Sequence, residues 1–302
     1  MMFKRIFLFL LLNILVVSTV SLIINMLHLQ PFLRGYGVDY NSLLIFCLIW
    51  GMVGAFISLA LSRVMAKWML KVKLIDPNNM QYASLYQMVD RLAKQANLPV
   101  TPQVGIFQMD APNAFATGPS KRRSLVAVST GILNKLSDKE LEAVIGHELA
   151  HIKNGDMITM TLLQGVVNAF VMFLARVLAI AISGFGRSKE SKSASPLMYY
   201  GLVFAFEIVF MILGSMVIAL YSRRREFKAD QGGAALSSRY NMISALHALD
   251  REASLLKKGR TAPSLQAFMI HSNKRSILSS LFSTHPPIEE RVKRLQDSFE
   301  LA

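Results

Sequence analysis

A glutamate between two histidines stands at the spacing of a metal-dependent hydrolase. The segment His147-Glu148-Leu149-Ala150-His151 has the pattern H-E-x-x-H. On a helix, residues four apart lie on one face, so both imidazoles can reach a single metal ion. Glu148 follows the first histidine and can meet a water at that ion as a general base. Two nitrogen ligands with such a carboxylate are typical of zinc metalloproteases.

The neighbouring residues favour a helix with a buried face. Residues 137–140 read Ser-Asp-Lys-Glu and predict a capping box with Ser137 as the N-cap residue. An apolar stripe at helical spacing follows, formed by Leu141, Val144, Ile145 and Ile152. Glu148 lies within that stripe, where a carboxylate is costly unless it is paired or close to a metal. The alternative, two solvated histidines beside a surface glutamate, does not suit such a position.

The third metal ligand must come from another part of the chain, because a catalytic zinc site needs three protein ligands and a water. Cys47 lies in an apolar run and suits a core position better. Glu226 and Asp230 are four residues apart and share one helix face. One of these carboxylates would bind the metal and the other would orient a ligand histidine. A charged surface turn is the alternative for this segment.

The composition indicates a membrane protein with a sizeable polar part. The 302 residues are 53% apolar and 17% charged, with a positive mean hydropathy. The length predicts one or two domains, and a single cysteine excludes an internal disulfide. The formal charge of +14 suits contact with anionic lipid headgroups. Nucleic-acid binding is possible for any chain this basic but is not expected, because the basic residues follow the ends of the apolar runs and no recognition motif is present.

Four apolar runs predict about four transmembrane helices, at residues 6–27, 43–62, 157–185 and 199–221. The first run is too long for a signal peptide and has no small-residue cleavage site, so we expect an uncleaved anchor. The third contains Gln164, Asn168 and Arg176, and an interfacial position is its alternative. Arg176 and Glu207 lie at similar depth in neighbouring runs, and we expect them to pair.

Basic residues at the ends of these runs predict the topology. They cluster on one side of a four-span arrangement, as Lys4, Arg5, Arg63, Lys67, Lys71, Lys73, Arg223, Arg224, Arg225 and Lys228. The positive-inside rule then places both termini in the cytoplasm. The H-E-x-x-H segment directly precedes the third run, and Glu226 directly follows the fourth. Both therefore emerge at the same cytoplasmic membrane surface.

The polar segments predict a small α+β domain. We expect a helix over Leu85–Gln95, strands over Gln103–Gln108 and Ser124–Ser129, and a turn over Pro119–Arg123. The residues Asn154-Gly155-Asp156 predict a C-cap or a bend. Leu255–Ser276 suits a loop, and a helix is expected to restart over Ile288–Leu301 after two prolines.

An extended segment precedes the H-E-x-x-H helix and is a candidate for binding substrate. Asn113, Ala114 and Phe115 lie in this segment, which could pair with a peptide as an edge strand. A plain structural hairpin is the alternative.

The predicted fold is a mainly α membrane protein with about four transmembrane helices and a cytoplasmic zincin-type α+β metalloprotease domain. Residues 1–62 form a two-helix N-terminal anchor. Residues 63–156 form the first part of the catalytic domain and contain the H-E-x-x-H helix. Residues 157–221 supply two further apolar helices, and residues 222–302 complete the catalytic domain with the third ligand.

Taken together, these motifs resemble the HtpX family of bacterial inner-membrane zinc metalloproteases and, more distantly, the CAAX prenyl proteases. The resemblance covers nearly the whole chain and includes Asn113-Ala114-Phe115, H-E-x-x-H, the E-x-x-x-D of residues 226–230, and Thr284-His285-Pro286-Pro287. It implies one Zn²⁺ per chain, bound by His147, His151 and Glu226, with Glu148 as general base. It also implies that Asp230 supports a ligand, and that His285 and Arg291 assist near the transition state.

The resemblance further implies an endopeptidase that degrades misfolded or damaged membrane proteins during stress, at the cytoplasmic side of the inner membrane. Its partners would be polypeptide substrates and the bilayer. Two other classes of protein remain open from the residues alone: a small transporter or proton path with a structural zinc, and a zinc-bearing membrane adaptor. Only the protease requires Glu148 for its activity.

Overall fold

A computed structural model describes residues 39–77, 80–184, 196–260 and 285–297. The eight helices of these ranges, apart from one short 3-10 turn, are α1 (Tyr40–Met69), α2 (Ala83–Gln95), α3 (Thr130–Lys135), α4 (Asp138–Asn154), α5 (Asp156–Gly184), α6 (Pro196–Leu236), α7 (Arg239–Arg260) and α8 (Ile288–Asp297). The strands are β1 (Lys73–Leu74), β2 (Gln103–Phe107), β3 (Ala114–Ser120) and β4 (Arg123–Ser129). The predicted span at residues 6–27 lies outside the described residues.

The chain divides into two compact units. The first, which we call the apolar unit, comprises the described residues up to Ser58 and those within Thr159–Ile218. The second, the site unit, comprises the described residues within Leu59–Ile158 and those from Ala219 onward. In length and composition, three described helices can cross a membrane: α1, α5 and α6. They correspond to the second, third and fourth predicted runs.

The helices of the apolar unit approach closely where small residues meet. A Cβ atom added to Gly51 of α1 would lie 2.8 Å from the backbone of Gly165 and of Ala169 in α5. Close backbone contact of this kind is common between helices in membranes. There the hydrophobic effect does not drive helices together, and small residues allow close van der Waals packing instead. Apolar side chains such as Trp50 and Phe204 stay exposed, as a lipid-facing surface requires.

An ion pair joins two helices of the apolar unit. Nη1 of Arg176 in α5 lies 2.9 Å from Oε1 of Glu207 in α6, and it also donates to the carbonyl of Met172. The predicted pairing of these two charges is therefore confirmed. Cys47 is buried beside Phe173 and Val177, as expected for a core residue.

The site unit contains a four-stranded sheet in the order β1-β2-β4-β3. Strand β4 is an interior strand, because it pairs in parallel with β2 on one side and antiparallel with β3 on the other. Its residues from Ser124 to Ser129 are buried. Strand β3 is an edge strand. Both predicted strands are confirmed, with small shifts at their ends.

Two sequence-based boundaries need correction. The turn predicted over Pro119–Arg123 is shorter, because β3 continues to Ser120 through an irregularity at Gly118, whose φ of 141° suits glycine. The loop predicted over Leu255–Ser276 is wrong for residues 255–260, because these are mostly good helix formers and extend α7 to Arg260. The rest of that segment lies outside the described residues. The helix predicted over Ile288–Leu301 is confirmed over Ile288–Asp297, and its remaining residues lie outside the described range.

The core of the site unit is formed by one side of the sheet and the helices α2, α4 and α7. Its fully buried residues include Leu92, Val126, Ile145, Leu149 and Leu246. Helix α4, which contains the H-E-x-x-H segment, is buried along most of its length. A helix fixed on several sides positions its functional side chains more rigidly than a surface loop does.

Candidate functional site

Helix α4 begins and ends at well-defined caps. The Ser137 side chain accepts from the Glu140 backbone, and the Glu140 carboxylate accepts from the Ser137 backbone N–H at 2.9 Å. The second carboxylate oxygen of Glu140 accepts from Oγ of Ser244 at 2.7 Å, which ties α4 to α7. Gly155 ends the helix in the left-handed region with φ 66°. The predicted capping box and C-cap are confirmed.

Glycines allow α4 and α6 to cross almost backbone to backbone. A Cβ on Gly233 of α6 would lie 3.0 Å from the backbone nitrogen of His147, and a Cβ on Gly232 would overlap the Ala150 side chain. A Cβ on Gly146 of α4 would lie 3.2 Å from the Gly233 Cα. This crossing brings the acids of α6 to the two histidines of α4.

His147, His151 and Glu226 form a compact, buried cluster. The two Nε2 atoms lie 3.2 Å apart, and the Glu226 oxygens lie 3.4 Å from each of them. One ligand atom from each residue falls within 4.8 Å of the others. Their exposed fractions are 6%, 8% and 0%. Two imidazole nitrogens and one carboxylate oxygen are a donor set that zinc accepts in catalytic sites, so the residues fit that ion.

The electrostatics of the cluster favour a positive charge at its centre. Burial lowers the pKa of His147, but the carboxylates of Asp230 and Glu226 outweigh burial and raise it to about 9. Burial raises the pKa of Glu226, but hydrogen bonds with His147, His151 and His285 hold it far below its usual range. Since ligand nitrogens must be deprotonated, a bound cation would replace this proton charge.

Asp230 lies behind His147 and is held by Arg291. Two guanidinium nitrogens of Arg291 donate to the two oxygens of Asp230, at 2.8 and 2.5 Å. Nδ1 of His147 lies 3.0 Å from Oδ1 of Asp230 but lacks the alignment of a hydrogen bond. Burial raises the pKa of Asp230, and the donated bonds of Arg291 more than compensate, so the carboxyl pKa lies below its ordinary value.

His285 and Arg225 both contact the carboxylate of Glu226. Nδ1 of His285 lies 2.8 Å from Oε2, and Nη2 of Arg225 lies 3.2 Å from Oε1. The His285 side chain is 64% exposed, whereas Arg291 is buried. Of the two C-terminal residues singled out in the sequence, His285 therefore borders solvent and Arg291 is engaged with Asp230.

Glu148 faces a cavity of about 170 Å³ beside the cluster. Its side chain is partly buried and makes no hydrogen bond or ion pair with any described side chain. The walls near the cluster include His147, His285 and Arg291. The cavity lining also includes five apolar side chains, those of Ile132, Val144, Met242, Leu246 and Leu249.

The segment singled out for substrate binding borders this cavity only in part. Asn113 and Ala114 line the cavity. Phe115 points to the other face of the sheet and packs against Phe107, with 5.6 Å between the two ring centroids. This difference follows from the alternation of side chains along β3. The Asn113 carbonyl accepts from the Ser129 backbone N–H, and the Asn113 backbone N–H donates to Oγ of Ser129, which fixes the start of β3 at the cavity.

Comparisons with known proteins identify the family. The sequence profile of peptidase family M48 matches residues 79–298. The chain belongs to peptidase family M48. It is 47% identical to the protease HtpX homolog of Bacillus subtilis (strain 168), over 98% of this chain and 99% of that protein. It is 46% identical to the HtpX homolog of Methylacidiphilum infernorum (isolate V4), again over 98% and 99%.

A solved structure shares the M48 fold of this chain. The crystal structure of S. mikatae Ste24p aligns with a TM-score of 0.60 at 16% identity, covering 97% of this chain and 66% of that one. The predicted resemblance and fold class are confirmed, and the chain is a membrane metallopeptidase. The comparisons therefore favour the peptidase over the transporter and adaptor alternatives.

Sequence reasoning missed one acid of this M48 peptidase and the reason for its helix crossing. Asp156 was assigned only to the end of α4, yet its Oδ2 lies 2.7 Å from Nδ1 of His151. An acid directly after a helix-ending glycine was the available signal in the sequence. Gly232 and Gly233, beyond Glu226 on the same helix, were the signal for a close approach of two helices.

Proposed function

We propose that this chain is a zinc-dependent endopeptidase of the bacterial inner membrane, which cleaves misfolded or damaged membrane proteins on the cytoplasmic side. The observation that carries the proposal is the buried cluster of His147, His151 and Glu226 next to Glu148 at a cavity. Membership of family M48 and similarity to HtpX homologs support the same reaction class.

The three clustered residues are the proposed zinc ligands. Zinc bound by these donors supplies Lewis-acid chemistry, since it polarises a carbonyl and lowers the pKa of a water towards about 7. Glu226 suits the ligand role better than Asp230, because its oxygens approach both Nε2 atoms whereas Asp230 approaches only Nδ1 of His147. Asp230 instead orients the His147 ring from behind.

Glu148 is the proposed general base. Its carboxylate lies at the cavity and lacks a protein partner among the described side chains, so it is available to take a proton from the attacking water. The oxygen of that water then bonds to the peptide carbon, and Glu148 returns the proton to the amide nitrogen as the C–N bond breaks. His285, at the exposed rim, is in reach of a bound peptide, whereas Arg291 acts through Asp230.

The substrate is proposed to lie along β3. Because β3 is an edge strand that begins at the cavity with Ala114, directly after Asn113, an extended peptide can pair with its free backbone groups. The apolar lining around Leu246 and Leu249 accommodates an apolar side chain near the cleaved bond. Stretches of this kind become accessible when a membrane protein misfolds.

The cytoplasmic position of the site unit is supported by its basic residues. After the apolar part of α1 come Arg63, Lys67, Lys71 and Lys73, and the apolar part of α6 is followed by Arg223, Arg224, Arg225 and Lys228. All eight belong to the same unit as the metal cluster. Such clusters mark the cytoplasmic side of spans.

The test of the chemistry is a pair of variants in the purified, detergent-solubilised protein. Glu148→Gln is expected to retain zinc and lose cleavage of a model polypeptide, whereas His147→Ala is expected to lose both. Glu142→Gln, on the same helix but paired with Arg91, is the matched control and should remain active. Normal turnover by Glu148→Gln would refute the mechanism.

Location and substrate class need a test in cells. Cys47 is the sole cysteine, so a Cys47→Ala background with Lys139→Cys reports which side of the membrane the site unit occupies. We expect the introduced thiol to be labelled only after the inner membrane is permeabilised. A destabilised membrane protein should disappear faster with the wild type than with Glu148→Gln, through fragments cut in cytoplasmic loops. Labelling in intact spheroplasts, or equal lifetimes, would contradict the proposal.

A further inference from the structure

Each histidine of the cluster has its own carboxylate on the side away from the centre. Asp230 of α6 stands behind His147, and Asp156, the first residue of α5, stands behind His151. The second contact is the better formed of the two: Oδ2 of Asp156 lies 2.7 Å from Nδ1 of His151, and Asp156 is only 8% exposed. Neither the motif nor the family comparison assigns a role to Asp156.

A guanidinium accompanies each of these carboxylates. Arg291 is bonded to both oxygens of Asp230, and Arg225 lies between Asp156 and Glu226. Nη2 of Arg225 is 3.2 Å from Oε1 of Glu226, while its Nε is 4.0 Å from Oδ2 of Asp156. This Nε is buried and has no hydrogen-bond partner within the described part of the chain. Arg225 thus balances the charge of two acids at once.

We propose that Asp156 is a positioning residue that holds His151 in the orientation and tautomer needed to bind the metal. The inference rests on the proposed role of His151 as a zinc ligand. Because the Asp156 carboxylate accepts a hydrogen bond from Nδ1–H of His151, the ring proton stays on Nδ1. The lone pair of Nε2 is then directed at the cluster, 3.2 Å from Nε2 of His147 and 3.4 Å from Glu226.

The geometry of the chain explains why this acid comes from so near in sequence. Gly155 adopts a left-handed conformation without steric cost because it has no Cβ, and it ends α4 directly after the turn containing His151. The next residue, Asp156, therefore starts a new helix while its side chain returns to the ring of His151. A continuous helix would place position 156 on a different face from position 151.

The experiment measures zinc affinity by chelator competition on the purified full chain, with Asp156→Ala and Asp156→Asn. The control is Asp138→Ala, which also removes an acid from the first turn of a helix but one that is exposed. The visible absorption of the cobalt-loaded protein is a second readout, because it responds to the arrangement of the ligands. Thermal unfolding of each variant in the presence of chelator separates stability from metal binding.

We expect Asp156→Ala to weaken zinc affinity by about 10–100-fold, the usual effect of losing such a partner. Asp156→Asn should lose less, because its carboxamide oxygen still accepts from Nδ1. The cobalt spectrum should change in Asp156→Ala and stay unchanged in Asp138→Ala.

Two results would overturn the inference. One is a zinc affinity of Asp156→Ala within twofold of the wild type. The other is an equal loss in Asp138→Ala, since the effect would then belong to helix stability. Failure of the proposed function looks different: His151→Ala itself would bind zinc like the wild type.

Discussion

The pair formed by Asp230 and Arg291 offers the sharpest test of how the C-terminal helix α8 supports the site. Both residues are buried, with exposed fractions of 1% and 8%, and two charge-assisted hydrogen bonds join them. Removing one partner of a buried ion pair costs about 3–5 kcal/mol, because the other charge stays buried without compensation. Asp230→Ala should therefore destabilise the protein by about that amount.

The expected shift in melting temperature follows from this free energy. Domains of about 150–250 residues change Tm by roughly 2–4 °C per kcal/mol, so Asp230→Ala should lower Tm by about 6–20 °C. The measurement is thermal unfolding in detergent by circular dichroism. Chelator must be present throughout, because bound zinc would add its own stabilisation to the wild type.

A double variant separates the ion pair from the packing around it. In Asp230→Ala/Arg291→Met both charges are gone and the volume of the arginine is largely kept, so most of the lost stability should return. A decrease in Tm of less than about 2 °C for Asp230→Ala, below 1 kcal/mol on the same scale, would refute the reasoning. So would a double variant less stable than the single one.

Three further predictions concern other parts of the chain. Gly232→Val should reduce zinc affinity at least tenfold, measured by chelator competition, because its side chain collides with Ala150 and separates the two helices; unchanged affinity would contradict the close crossing. Ser137→Ala should lower the free energy of unfolding by about 1 kcal/mol through loss of the N-cap, measured by denaturant titration; an unaltered midpoint would contradict this role of Ser137. Arg176→Glu and Glu207→Arg should each lower accumulation in membranes several-fold, and the swapped double variant should recover it on immunoblots; no rescue would mean that the pair contributes nothing.

Local signals in the sequence predicted the elements of the site well. The capping box at Ser137, the apolar stripe of α4 and the C-cap at Gly155 depend on residues within one or two helical turns, so pattern alone reveals them. The two strands flanking the substrate segment were found for the same reason. Their pairing order, with β3 at the edge, depends on contacts distant in sequence.

The division of labour between Glu226 and Asp230 was not accessible from spacing. Two acids four residues apart share a helix face, and either can reach a metal. The structure separates them by depth: Glu226 approaches the Nε2 atoms of both histidines, and Asp230 approaches the far side of His147. That difference depends on where α6 crosses α4, which is fixed by tertiary packing.

Side-chain direction limited the prediction for the substrate segment in a similar way. Asn113, Ala114 and Phe115 were treated as one candidate, but a one-residue step along β3 turns Phe115 to the opposite face. Asp156 was overlooked because a left-handed glycine ends α4 between it and His151. Helical periodicity does not extend across such a residue.

The glycine crossing of α4 and α6 also determines how this centre can be altered by engineering. Because the backbones of the two helices are in direct contact beside His147, a closer approach would cause steric overlap and a larger separation would break the packing. Adapting the site to a larger cation must therefore proceed by substituting the ligand side chains, because the distance between the two helices cannot be adjusted.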